Sequence, residues 1–162
     1  MSDERFMRRA IELSRQAVLG GHGGPFGTTI VKDGRIVGEG YNMVISSNDP
    51  TAHAEIVAIR EAGRKLNTFD LSGCDLYVNG PPCCMCFASI LWAGISQVFY
   101  VLSAEDAVDI GLGDQFLYEQ ISRPLEDRSI PFIPMPQLDE EARQVYDLWA
   151  NKSDKTTFSR PG

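Results

Sequence analysis

Histidine and cysteine are scarce in this chain of 162 residues: two of the former, His22 and His53, and four of the latter, Cys74, Cys83, Cys84 and Cys86. Three of those thiols crowd into four consecutive positions. A disulfide framework spreads its cysteines to staple distant loops, so the clustering speaks for metal or redox chemistry in a reducing compartment, and the cytoplasm is the expected location. Long apolar runs are missing too. The longest, Phe87 to Ile95, has nine residues, about half of the ~18 that a membrane-spanning helix needs. No block of Lys and Arg occurs, and 15 basic residues against 22 acidic ones leave a net charge of −7. Duplex DNA, tRNA and anionic membranes repel such a surface. The start, with Asp3 and Glu4 ahead of Arg8 and Arg9 and no apolar stretch, resembles neither a signal peptide nor a transit peptide. Neither an internal repeat nor an interdomain linker is visible, and the length suits one domain over residues 1–150 with a polar tail over 151–162.

What is present alternates between helix and strand patterns. Phe6, Ala10, Leu13 and Ala17 recur at helical spacing between Arg5 and Leu19, and Gly20-Gly21 closes the run. Phe26 to Lys32 and Arg35 to Tyr41 read as strands joined by Asp33-Gly34, a strong two-residue hairpin signal. After the turn at Asp49-Pro50, Thr51 is a candidate cap for a helix to about Asn67. The spacing then predicts a strand over Cys74 to Asn79, a helix over Cys83 to Ala93 and a strand over Gln97 to Leu102. A helix over Asp114 to Ile121, a Pro-interrupted edge strand over Ile130 to Met135 and a helix over Asp139 to Ala150 complete the series. A hairpin followed by helix–strand alternation implies a mixed sheet with helices on both faces, an α/β/α layering.

Two short segments carry the chemistry. His53-Ala54-Glu55 opens one expected helix and Pro82-Cys83-Cys84-Met85-Cys86 opens another. Pro is tolerated at a helix start because its missing N–H would be unpaired there. Cys83 and Cys86, three apart, can face one point, whereas Cys84 is turned about 100° away. With His53 they make three protein ligands and leave the fourth zinc position for water, the pattern of catalytic rather than structural zinc. Glu55, two residues after His53, is placed to move protons without being a ligand. The helix starts favour thiolates through their dipoles and free N–H groups. Two other readings remain at this level: a redox pair of Cys83 and Cys86, or a closed zinc site with Cys84, Cys74 or His22 as fourth ligand. Taken together, H-x-E and P-C-x-x-C match the zinc deaminase signature.

These residues resemble the cytidine deaminase-like superfamily, and within it the small bacterial guanine deaminases. The likeness runs from the first helix to near Trp149 and includes GGPFG at Gly23 to Gly27, IVKDG at Ile30 to Gly34 and SNDPTAHAE at Ser47 to Glu55. It continues through ILWAG at Ile90 to Gly94, VFY at Val98 to Tyr100 and DQFLYEQI at Asp114 to Ile121. The resemblance implies a three-layer fold around a mixed five-stranded sheet, a homodimer, one zinc per subunit and hydrolytic removal of an exocyclic amino group. It assigns zinc to His53, Cys83 and Cys86 and proton transfer to Glu55. It also matches Asn42 and Asp114 to purine contacts, Asp114 with a share in proton transfer, and Phe26 and Trp92 to aromatic pocket positions. Its C-terminal segment is similar to one exchanged between subunits, with a terminal aromatic covering the partner's site; Phe158 is the aromatic beyond Trp149 that would do so here.

The implied reaction is guanine to xanthine plus ammonia. Guanosine, another aminopurine, an amino-triazine or a tRNA base are alternative substrates, and a catalytically silent zinc-binding dimer is an alternative of another class. Four departures bear on the substrate: Pro81 where the family has Glu, Cys84 where it has Pro, Thr28 where it has a small Ala, and Gly113-Asp114 where it has an Asp pair. His22 is expected to be a solvated loop residue and Cys74 a buried strand residue.

Overall fold

A computed structural model describes residues 3–158 of the chain. These divide between two compact units, Met1–Asp114 and Gln115–Gly162; the last four residues of the expected tail lie outside the described residues.

In the first unit, helix α1 spans Glu4–Leu19, with the Asp3 carboxylate accepting from the Arg5 N–H to cap it. Strands β1, Gly27–Lys32, and β2, Arg35–Tyr41, form an antiparallel hairpin in which Lys32 faces Arg35. Asp33 and Gly34 both have positive φ, 49° and 71°, as a two-residue turn of the twist-compatible type requires. A short helix α2, Val44–Ser47, precedes α3, Ala54–Leu66. Strand β3, Asp75–Val78, is followed by helix α4, Cys84–Ala93, and strand β4, Gln97–Tyr100, with β3 and β4 parallel. The crossover through α4 is what a parallel pair demands. Helix α5, Ala104–Asp109, opens on a Ser103–Asp106 capping box.

The sheet order is β2-β1-β3-β4, with β1 antiparallel to both of its neighbours. The layering is as expected. On one face, Thr29 Oγ1 donates to the Phe6 carbonyl of α1; on the other, Gly38 and Gly40 of β2 lie under α3. A Cβ at Gly40 would stand 2.3 Å from the Ala54 carbonyl oxygen and one at Gly38 2.5 Å from that of Ala58. These two glycines therefore let the start of α3 settle onto the sheet. Between them Ile30, Leu76, Val78, Ala58, Ala62 and Ile90 make the apolar core.

Among the described residues the sheet has four strands, not five. The fifth expected strand, Ile130 to Met135, is irregular backbone. Pro131 and Pro134, three apart, each remove an N–H donor, one from either edge of an extended segment. The second unit contains α6, Gln115–Ser122, two single 3₁₀ turns, Leu125–Asp127 and Pro136–Leu138, and α7, Asp139–Ala150. None of its described residues is buried.

Candidate zinc centre

Helices α3 and α4 begin on residues that are poor caps by chemistry. Their N-cap positions are His53 and Cys83, both extended, and neither side chain makes a capping bond. Cap positions favour Ser, Thr, Asp or Asn, so these side chains are spent elsewhere. Thr51, the cap expected from sequence, has its hydroxyl and N–H on the Asp49 carboxylate in the turn before α3. That turn postpones the helix to Ala54 and leaves His53 at its mouth.

His53 Nδ1 lies 3.6 Å from Cys83 Sγ and 3.5 Å from Cys86 Sγ. Tetrahedral zinc with ordinary Zn–N and Zn–S bonds sets such a nitrogen and sulfur about 3.6 Å apart. All three donor atoms fall within 4.8 Å of one another. The residues present therefore fit zinc, and no other such cluster occurs among the described residues. Cys84, Cys74 and His22 do not join it. This removes the closed four-ligand reading, and Cys74 is buried, as its sequence suggested. The two-ligand spacing works although Cys83 is a cap residue rather than a helical one, because an extended cap still directs its side chain across the helix mouth.

Charge is focused here. The Cys83 thiol is drawn down to about 4, first by its hydrogen bond with Cys86 and then by His53, against its burial. Cys86 is held up by that same bond and by burial, so the pair behaves as one thiolate shared with one thiol. The bond with Cys83 also pushes the His53 imidazole above its ordinary value. Glu55 is 4% exposed, and burial raises its carboxyl despite its own backbone N–H and the neighbouring Cys86 thiol. A buried carboxyl beside a metal site is placed to take up and release a proton.

The remaining expected residues fall into distinct groups. Asn42, 6% exposed, follows β2, and its Oδ1 accepts from the N–H groups of Gly24 and Val44, each at 3.2 Å. Those two donors fix the amide orientation and leave Nδ2 with no protein acceptor among the described residues. Phe26 is half-buried at the end of the glycine loop. Asp114, at the end of the first unit, is near enough to act on the charges of His53 and Cys84. Trp92 is 56% exposed on the outward side of α4, with Phe87 and Leu91. Phe158 packs on Trp149 in the second unit, ring centroids 6.2 Å apart. Thr28 is fully buried in β1, and its hydroxyl has no hydrogen-bond partner among the described residues. His22 corrects an expectation: it is half-buried, tilted against Tyr41 at 5.2 Å, with Nδ1 enclosed, because its backbone is tied to Ala17, Ile45 and Ser46.

One residue escaped the sequence reading. Asn79, at the end of β3, accepts from the Gly27 N–H through Oδ1 and donates to the Pro25 carbonyl through Nδ2, both at 2.9 Å. In sequence Asn79 reads only as the last residue of the strand from Cys74, and nothing local reports a reach of more than fifty positions back along the chain.

Two zinc-binding helix starts on a mixed sheet, with a buried glutamate beside the ligands, define a zinc-dependent deaminase. Residues 1–102 match the family model of the cytidine and deoxycytidylate deaminase zinc-binding region, and the chain belongs to that family. It is 43% identical to the guanine deaminase of Bacillus subtilis (strain 168) over 98% of its own length and all of the relative's. The solved structure of guanine deaminase from Bacillus subtilis superposes with a TM-score of 0.89, at 42% identity, covering 98% of this chain and 100% of that one. The guanine deaminase structure from Nitrosomonas europaea gives a TM-score of 0.65 at 31% identity, over 69% of this chain and 65% of that one. A tRNA-specific adenosine deaminase of Aquifex aeolicus (strain VF5) is 42% identical over 62% of this chain and 66% of its own length.

Proposed function

We propose that the chain hydrolyses guanine to xanthine and ammonia. The observation that carries this reading is the Asn42 amide. With Oδ1 consumed by two backbone donors, only Nδ2 is left to meet a ligand, and a donor there pairs with the carbonyl oxygen of a 6-oxopurine. The full-length likeness to a guanine deaminase supports the same substrate. The tRNA reading has less behind it: the tRNA-specific adenosine deaminase of Aquifex aeolicus matches 62% of the chain where the guanine deaminase matches 98%, and a net charge of −7 opposes a polyanion.

His53, Cys83 and Cys86 would hold a zinc ion, and the chemistry that ion would supply is to make a water acidic enough to attack at neutral pH. Glu55 takes a proton from the attacking water and delivers protons to the purine ring nitrogen and to the departing amine. Burial raises the Glu55 carboxyl, and Asp114 adds negative charge that favours protonated nitrogen nearby. Phe26 offers a flat apolar surface for the ring, and Trp92 is the second aromatic assigned to the pocket. Water enters, ammonia leaves, and the ring gains a carbonyl.

The active form is a homodimer in the cytoplasm, with residues 151–162 reaching the partner subunit and Phe158 covering the partner's site. Support comes from the second unit, where Phe116, Ile121, Ile133, Tyr146 and Leu148 are exposed in the single chain. A sheet edge left open at β4 adds to it. So many large apolar side chains exposed in one small unit suit an association surface, and the clustered free thiols suit a reducing compartment.

The test is ammonia release by the zinc-loaded protein from guanine, guanosine, other aminopurines and an amino-triazine, with metal content measured alongside. Guanine as the preferred substrate is the expected result. Preference for guanosine would overturn the free-base reading, and stoichiometric zinc without turnover on any of them would leave a silent zinc-binding dimer.

A further inference from the structure

We infer that Asn79 is the positioning residue that sets the substrate-stacking ring of Phe26 at a defined distance from the zinc ligands. The inference rests on the deaminase reading for its substrate, but its structural basis is independent of it. The Asn79 side chain straddles residue 26. It grips the carbonyl before Phe26, that of Pro25, and the amide after it, that of Gly27, each at 2.9 Å. Both peptide planes flanking Phe26 are thereby held by one side chain. From the opposite side, the Asn42 N–H donates to the Phe26 carbonyl at 3.0 Å.

The ring itself is confined by backbone. A Cβ at Gly80 would stand 3.1 Å from it and one at Gly24 3.3 Å, closer than ordinary contact, so two glycines form a slot for the ring. Gly80 is the residue after Asn79, which makes clamp and slot one device. The same stretch leads to the metal. Asn79 is buried, its carbonyl accepts from the Leu102 N–H, and it stands four positions before Cys83. Two of the intervening residues are Pro81 and Pro82, whose rings fix φ. The stacking ring and a zinc ligand are thus referenced to one short, stiff segment. A flat substrate binds a ring that is already fixed in place through it, so the ordering cost of binding is met in the fold and losing the clamp appears in KM.

The test compares Asn79→Ala and Asn79→Asp with the unaltered protein, all zinc-loaded. In Asn79→Ala, KM for guanine rises about tenfold or more while kcat stays within about threefold and zinc stoichiometry is unchanged. Asn79→Asp is the discriminating variant. Ionised, its carboxylate still accepts from Gly27 but opposes the Pro25 carbonyl. Protonated, it regains a donor and an acceptor in the shape of the amide. Its KM relative to the unaltered protein therefore falls as the pH is lowered from 8 to 5.5, whereas the Asn79→Ala ratio stays flat.

Amide hydrogen exchange supplies a readout that needs no turnover: exchange over residues 23–27 rises in Asn79→Ala while that of α3 and α4 does not. Two variants whose KM ratios move together with pH would overturn the inference. So would unchanged exchange in that loop, or a loss of zinc and kcat with KM unaltered. Absence of ammonia release by the unaltered protein would count against the proposed substrate alone, and the exchange comparison would still decide the clamp.

Discussion

Cys86 Sγ stands 3.5 Å from His53 Nδ1, although 33 positions separate the two residues in the chain. The separation is bridged by α3, β3 and the loop between them, which bring two helix mouths to one point. Neither His53 nor Cys83 caps its own helix; both are turned toward the shared centre. The expected consequence is a division among the thiols. Cys83→Ser and Cys86→Ser should each lose most bound zinc, read by metal analysis after desalting. Cys84→Ser should retain one zinc per chain and the turnover of the unaltered protein. Removing zinc with a chelator should abolish ammonia release, and re-adding zinc should restore it.

Glu55 is buried beside the ligands without being one. Glu55→Gln should keep zinc stoichiometry while turnover falls by about 10²- to 10⁴-fold, the span ordinarily supplied by a positioned proton-transfer group. Rate and metal content measured on the same sample decide the matter; undiminished turnover would remove Glu55 from the chemistry.

Asn42 offers a sharper question about specificity. Asn42→Asp retains an oxygen for the Gly24 and Val44 N–H groups but replaces the free donor with an acceptor. KM for guanine should rise by roughly 10- to 100-fold, as expected when one buried hydrogen bond becomes an opposed pair of acceptors. Steady-state kinetics against the panel of aminated heterocycles reads this, with the largest penalty on substrates bearing a ring carbonyl.

Thr28 is buried with a hydroxyl that finds no partner among the described residues. Thr28→Val preserves its shape and removes that polar atom, so thermal stability should rise, by about 1 kcal/mol. A fall in melting temperature would show that the hydroxyl is hydrogen-bonded to a bound water in solution.

Arg9 ties α1 to β2 through two bonds to Glu39, at 2.8 and 3.0 Å. The hydrogen bonds from Arg9 hold the Glu39 carboxyl below its ordinary value of 4.5. A carboxyl lowered on folding stabilises the protein above its unfolded pKa, and the contribution is lost as pH falls through the folded one. Glu39→Gln should therefore cost up to about 1 kcal/mol at neutral pH. The difference from the unaltered protein should shrink to nothing under acid conditions; chemical denaturation at several pH values measures it.

What the sequence determined by itself was local. Asp33-Gly34 specified the hairpin because its two positions must adopt positive φ. The 83–86 spacing specified two ligands because a helix mouth presents positions three apart to one point, and α7 at Asp139–Ala150 ran where its periodicity put it. Tertiary structure decided the rest. Thr51 gave way to His53 at the start of α3 because Asp49 captured its hydroxyl. The expected strand at Ile130 to Met135 stayed irregular, since a strand exists only by pairing and its prolines withhold donors. The free Nδ2 of Asn42 and the grip of Asn79 on Pro25 and Gly27 became visible only in the fold. Each depends on which backbone groups arrive from distant positions, and no periodicity or spacing along one chain encodes that arrival.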